Sequence, residues 1–328
     1  MQGSNLWSPL AGTEFANDCF GVSSRRELAA HLLEHYAAYD VVIAIKPLPD
    51  SFGVVLESLA GKAPIILDID DPDIEAHARG PFIGYQFLAS LRHPVYRRRL
   101  RRLVKRLDEF PHTVSNPVLQ SRYGGDIIPH VRPKSVTLKA ERSTGNGETL
   151  PRIAFIGTPH RHKGVGLLRD AVADINGEGV GFRLVITANA PEDRKPWEEW
   201  VGQTSLEEGL QLLADADIVL LPSLDGPRAS GQLPVKLIDS MMAGRAIGVS
   251  NVEPMPWAVG SGGIVFEPGS RDVIKDTLKQ LEDANLRQEL GRRAQDRAYQ
   301  LFTVEAVSGL FDRSVRRALL AQEQETAR

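Results

Sequence analysis

Three stretches of this chain gather residues that could do chemistry. The first is Gly157-Thr-Pro-His-Arg-His-Lys-Gly164, between the apolar run Arg152-Ile-Ala-Phe-Ile-Gly157 and a segment with helical spacing. A turn from strand to helix presents free amides and the positive end of the helix dipole to an anion, and Arg161 and Lys163 add formal charge. That is a phosphate site in outline; the plain alternative is a solvated turn of Gly and Pro. Neither G-x-G-x-x-G nor the Walker pattern is present, so NAD and ATP are not suggested. The second stretch, Pro222 to Ser250, carries a glycine-bearing loop and then Pro234-x-Lys236-x-x-Asp239 at a helix start. Lys236 could serve an anion or be a solvated helix cation. Asp239 could bind a polar ligand or simply favour the dipole of its own helix. The third stretch is Asp68-Ile-Asp-Asp-Pro-Asp73. Asp70 and Asp71 could orient a hydroxyl or take its proton, and Asp68-Ile-Asp70 has the alternation of a metal-binding acidic pair. The alternative is an acidic strand end whose Asp71-Pro72 opens a turn.

Other candidates are weaker. His93, His112 and His130 stand singly, and no G-x-S-x-G marks a nucleophile. The run Tyr96-Arg-Arg-Arg-Leu-Arg-Arg-Leu-Val-Lys-Arg106 puts cations on most faces of a helix around a narrow apolar seam of Leu100, Leu103 and Val104. It could meet an anionic membrane or an anionic acceptor, or be a cationic solvent face packed on a sheet.

The elements that must position these residues follow from patterning. Ser24 and Glu27 have capping-box spacing before a helix bearing Leu28, Leu32, Leu33 and Tyr36. The apolar runs at 40–45 and 64–68, one helix apart, predict parallel buried strands. Residues 74–108 read as helical, and 112–116 as a short strand. Later strands are expected at 152–157, 181–187, 216–222, 246–250 and 263–266, alternating with helices at 163–172, 235–243 and 272–281. Such alternation predicts a doubly wound α/β sheet, whose ligands sit beyond the carboxyl ends of the strands, in the loops after Ile156, Leu221 and Ser250.

Composition removes whole classes of function. The 328 residues, 42% apolar and 25% charged, suit two globular domains. A net charge of −3 gives no footprint for nucleic acid, and no Cys/His spacing suits zinc. With Cys19 as its one cysteine, no apolar leader and no membrane-length run, the chain is expected to be cytoplasmic.

The stretch from Pro222-Ser through Pro234-x-Lys236-x-x-Asp239 to Met242-Ala-Gly-Arg-Ala-Ile resembles the retaining glycosyltransferases of family 4, within the glycosyl transferases group 1 class. Gly157 to Gly164 resembles the family's phosphate-gripping loop, and Gly262-Gly-Ile-Val-Phe-Glu-Pro268 its glycine-rich segment, so the likeness runs over roughly 150–320. It implies an α/β GT-B fold of two Rossmann-like domains facing a central cleft. The first domain would be either trimmed or opened by a disguised strand, because Met1 to Phe20 shows neither the usual opening strand nor the glycine-rich loop clearly, Gly12 to Phe15 being at most a remnant. Residues 1–131 would form the acceptor-side domain, 132–150 a linker, 151–302 the donor domain and 303–328 a helix crossing back.

The implied reaction moves a sugar from a nucleotide diphosphate sugar to a hydroxyl acceptor with retention, a hexosyltransferase-type reaction. The nucleotide sugar is a co-substrate; no other cofactor and no metal is expected, since D-x-D serves a different fold. Gly157, Thr158, Arg161, Lys163 and Lys236 would hold the diphosphate. Asp239, Gly231, Gln232, Leu233 and Pro234 would meet ribose or sugar, and Asp70 and Asp71 would be the catalytic carboxylates beside the acceptor. The family usually has two glutamates eight positions apart, the later on the ribose and the earlier on the sugar. Asp239 keeps a carboxylate at the later place, whereas Gly231 has no side chain at the earlier, leaving Ser230, Gln232 or Asp225 as substitutes. Two rival expectations are a non-catalytic relative that binds nucleotide or supports a partner transferase, and a sugar-nucleotide epimerase. Arg97 to Arg106 would allow peripheral contact with the inner face of a membrane; no nucleic-acid partner is expected.

Overall fold

The computed structural model describes residues 14–78, 94–134, 150–226 and 229–327, which fall into two compact units, Met1–Ile128 with Gly309–Arg328, and Pro129–Ser308. The first unit opens with a 3-10 turn at Glu14–Asp18. Helix α1 (Arg25–His35) follows, its Ser24 hydroxyl accepting from the Glu27 amide. Strands β1 (Val42–Ile45), β2 (Ile65–Ile69), β3 (His112–Val114) and β4 (Asp126–Ile127) pair in parallel, in that order. Between them lie α2 (Phe52–Leu59), α3 (Asp73–Ala78), α4 (Pro94–Val104) and α5 (Pro117–Tyr123). Of the residues expected to be helical over 74–108, α3 and α4 are described as helix, and 79–93, with His93, lies outside the described residues. So do Gly12 and Thr13.

The second unit holds β5 (Arg152–Phe155), β6 (Arg183–Ile186), β7 (Glu198–Trp200), β8 (Ile218–Leu221), β9 (Ala246–Ser250) and β10 (Gly263–Phe266), all parallel. Their spatial order is β7-β6-β5-β8-β9-β10. Counted within the unit this is 3-2-1-4-5-6, the dinucleotide-fold order, which reverses between β5 and β8. The connecting helices are α6 (Val165–Gly177), α7 (Leu206–Ala214), α8 (Val235–Met242), α9 (Met255–Val259), α10 (Arg271–Gln280) and α11 (Ala284–Leu301). Period-two alternation sends Ile218 and Leu220 to one buried cluster with Phe155 and Leu168, and Val219 and Leu221 to another with Leu237 and Met241. With both faces covered, the strands read as unbroken apolar runs.

The last helix, α12 (Val304–Thr326), divides between the units at 308/309. In the first unit, Ser314 and Arg317 donate to Asp126 Oδ2 at 3.3 and 2.7 Å. The second unit starts at Pro129, ahead of the expected boundary, because Arg132 bridges to Thr303 and its N–H donates to Phe302 O at 2.8 Å. Of the expected linker, 135–149 lies outside the described residues.

Candidate functional site

The reversal of strand order in the second unit opens a cavity of about 230 Å³. Its walls come from the carboxyl ends of β5 and β8 and from the turns that follow them: Phe155, Ile156 and Gly157; Leu221 and Ser223; then His162, Lys163 and Lys236. Gln232, Pro234 and Val235, at the entry to α8, complete it with Ala229 and Met255. This is where an open parallel sheet is expected to hold a ligand.

Backbone geometry brings the cations together. Gly157 has φ +102° and donates its N–H to Thr187 Oγ1 at 2.6 Å. A Cβ built there would lie 3.7 Å from Lys236 Nζ and 4.0 Å from Lys163 Nζ, so both ammonium groups converge on this residue. Gly164, in the left-handed region at φ +70°, starts α6 and presses so close to the loop after β8 that an added Cβ would lie 2.0 Å from Pro222 O. The next contact along, Leu224 N–H to His162 O at 2.8 Å, ties the two loops together.

The two lysines are electrostatically uncomfortable. Lys236 Nζ donates to Ile156 O at 2.7 Å and sits 4.7 Å from the centre of the Phe155 ring. Burial, reinforced by the charge of Lys163, brings its pKa down to about 7. Burial also lowers that of Lys163. No carboxylate lines the cavity among the described residues. A pocket with two desolvated amines and the amino end of a helix is built for an anion, whose charge would restore theirs.

The other expected donor residues divide. Gln232 and Pro234 line the cavity, Leu233 is buried in the core, and Gly231 takes φ +96° with its N–H on Glu253 O. Thr158 and Arg161 are exposed on the turn outside the cavity lining, and the Gly157 amide, expected to face phosphate, is engaged by Thr187. Asp239 does not line the cavity either. It is buried, and both its oxygens accept from Arg132, Nε at 2.7 Å and Nη2 at 3.2 Å. Burial raises its pKa, against the opposing charges of Arg132 and His130. Asp239, expected to meet the ribose, thus forms an interior ion pair with the segment that enters the unit. Of the suggested substitutes for the missing glutamate, Gln232 reaches the cavity, whereas Asp225 Oδ1 accepts from the Gly226 amide at 2.7 Å.

In the first unit, Asp70 and Asp71 directly follow β2. Sequence reasoning did not pair them with Lys46, which leaves β1 with φ +74°, an uncommon conformation for a residue with a side chain. Its Nζ lies 3.4 Å from Asp70 Oδ1, 3.7 Å from Asp71 Oδ2 and 2.7 Å from Asp73 Oδ2. Burial works against the Lys46 charge, but the Asp73 hydrogen bond and the three carboxylates outweigh it and raise its pKa. The three carboxylates approach within 4.8 Å of one another, near enough to share a cation, and the Lys46 ammonium stands among them. The signal available beforehand was a lysine directly after an apolar strand, one parallel neighbour away from the aspartates. Arg132 and Thr187, also missed, carried no such signal.

Comparison with known proteins places this geometry. Residues 150–283 match the family model described as glycosyl transferases group 1. Among solved structures, sucrose-phosphate synthase from Thermosynechococcus elongatus is similar over 92% of this chain and 81% of its own, with TM-score 0.67 and 16% identity. Anabaena HepE in complex with UDP-glucose is similar over 89% and 82%, with TM-score 0.63 and 14% identity. The pneumococcal O-GlcNAc transferase GtfA, in complex with UDP and GlcNAc, has TM-score 0.61 and 14% identity, and this chain spans 62% of its length. No curated protein matches by sequence. The chain has the GT-B fold, and the match to the group 1 model covers the segment that builds the cavity.

Proposed function

We propose that this protein transfers a sugar from a nucleoside diphosphate sugar to a hydroxyl acceptor, with retention at the anomeric carbon. The observation that carries the reading is the convergence of Lys163 and Lys236 on Gly157, at the strand-order reversal of a domain matching group 1 glycosyl transferases. As the bond from the anomeric carbon to the β-phosphate oxygen breaks, negative charge grows on the diphosphate. Two desolvated ammonium groups and the amino end of α6 stabilise that charge more than they stabilise the intact ester, which lowers the barrier. Gln232 is assigned to the sugar in place of the absent glutamate at Gly231. Asp70 and Asp71 are assigned to the acceptor, whose hydroxyl oxygen forms the new bond while its proton passes to a carboxylate. Arg161 and Thr158 keep a secondary role at the rim.

Thermal-shift binding across uridine, guanosine and adenosine diphosphates and their sugars tests the donor site. Stabilisation by one base, abolished in Lys163→Ala and Lys236→Met, is expected; no stabilisation by any of them sinks the assignment. The anomeric configuration of the product, read by NMR, tests retention. A second reading has specific support: Gly231 offers no side chain and Asp239 is committed to Arg132. A relative that binds nucleotide without turnover would show the same thermal shift, yet release no diphosphate from any nucleotide sugar across an acceptor panel.

A further inference from the structure

Helix α4 concentrates charge beyond any need of its own unit. Arg98, Arg101 and Arg102 on the helix and Lys105, in the turn directly after it, follow at intervals of i, i+3, i+4 and i+7, and all are exposed. Leu100 and Leu103 on the helix, and Leu107 in the 3-10 turn Leu107–Glu109 after it, are buried at 3%, 7% and 3% exposure and anchor the segment. Among the described residues no carboxylate pairs with any of these four cations; the adjoining Arg106 pairs with Glu109. Alongside runs a groove of about 210 Å³, with Arg99, Arg102 and Arg106 on one wall and Pro49, Gly53 and Leu56 opposite. Its one acid, Glu57, is held by Arg25 at 2.9 Å.

We propose that this face of α4 docks on a bilayer surface containing anionic phospholipid, with a lipid phosphate seated between the groove arginines. Three features favour a membrane over a nucleic acid. The patch is confined to a helix about 16 Å long, which a plane can touch along its whole length but which is short for a duplex track. The chain as a whole is acidic at −3, which gives no electrostatic footprint for nucleic acid. The groove pairs guanidinium groups with an apolar wall, and Val95, 62% exposed, begins the helix, as suits a ligand with a phosphate attached to hydrocarbon. No described helix is long and apolar enough to cross a membrane, so the contact is with the surface. The proposal does not depend on the nucleotide site.

The test is co-sedimentation of the full chain with vesicles of phosphatidylcholine alone and with 30% phosphatidylglycerol or phosphatidylserine (~30 mol%, enough to set a surface potential). Binding to the anionic vesicles only, largely lost in 0.5 M salt (roughly a 4 Å screening length), is expected. Each cation near such a surface contributes roughly fivefold in affinity, so changing Arg98, Arg101, Arg102 and Lys105 together to Gln should weaken binding at least about a hundredfold. The nucleotide thermal shift and circular dichroism report that this variant is folded. Should it not fold, the double change Arg98→Glu with Lys105→Glu takes its place, with the same loss expected. Equal binding to neutral vesicles, unchanged binding by the variants, or tighter binding to a short DNA duplex than to the anionic vesicles would each overturn the proposal.

Discussion

Lys236 holds a charge where only a carbonyl and a ring face accept it, beside a second lysine. Its folded pKa of about 7 is below the ordinary lysine value of 10.5, so between these values the unfolded chain keeps a proton that the folded chain has released. From this group, then, stability of the free protein rises with pH through that window. Diphosphate binding has the opposite dependence. The anion draws the pKa of Lys236 back up, so binding takes up a proton, and affinity falls above pH 7 by up to about tenfold per unit. Calorimetry at pH 7 in buffers of different ionisation enthalpy should show uptake of about half a proton (~0.5) per diphosphate bound, and Lys236→Met should abolish it. Equal heats in all buffers for the wild type would contradict this. The sequence made Lys163 and Lys236 visible as candidate cations, because each stands at a helix start after an apolar strand. It left Asp239 ambiguous: whether a carboxylate meets a ribose or an arginine from a distant segment depends on which side of α8 that segment passes, and local spacing says nothing about Arg132. The pair yields its own prediction. Arg132→Ala strands a carboxylate that is 7% exposed, and urea unfolding of the second unit should register a loss of about 2–4 kcal/mol at neutral pH. Without Arg132 the folded pKa of Asp239, already raised by burial, has less to oppose it. The folded state then binds the extra proton, so the loss should shrink as the pH is lowered towards 5 (roughly the upper carboxylate range).

The turn between β5 and α6 is an element whose shape depends on one residue. Gly164 has a positive φ and backs onto Pro222 O without room for a methyl group. Gly164→Ala should therefore cost about 3 kcal/mol or more in the second unit, from strain and from displacement of the loop after β8. The same displacement moves Lys163 off Gly157, so diphosphate binding should weaken more than tenfold (about 1.4 kcal/mol or more) even in conditions where the variant is folded. Retention of wild-type affinity would show that the turn does not position the cation. Elements of this unit were legible where burial on both faces makes a strand uniformly apolar, as in β5, β8 and β9. The edge strand β7 was not. Its residues are Glu198, Glu199 and Trp200, and the Glu198 carboxylate, 0% exposed, accepts from Arg169 Nε at 2.7 Å and Trp200 Nε1 at 3.0 Å. A strand held by a buried ion pair looks polar to any reading based on hydropathy. Strand β4, two residues long, is too short to show a period.

At the scale of the molecule, the division of α12 between the units makes them separately testable. Ser314 and Ala318, 1% and 2% exposed, and the Arg317 contact to Asp126 belong to the first unit, whose sheet has four strands among the described residues. A chain ended after Ser308 should lose that packing, and the melting transition of the first unit should fall by about 7 °C, as a loss of about 2 kcal/mol gives in a domain of this size. The cation-lined cavity draws all its walls from Phe155 to Met255. Diphosphate should accordingly still stabilise the second unit, with affinity within about threefold (~0.6 kcal/mol) of the full chain, while transfer to any acceptor is lost because the residues assigned to the acceptor stand in the damaged unit. Scanning calorimetry with and without nucleotide, run beside a diphosphate-release assay, reads all three quantities. Binding retained with turnover lost would assign donor recognition to the second unit and transfer to the whole chain. Loss of binding would mean that residues beyond 308 support the donor cavity, and that the cavity lining alone does not account for recognition.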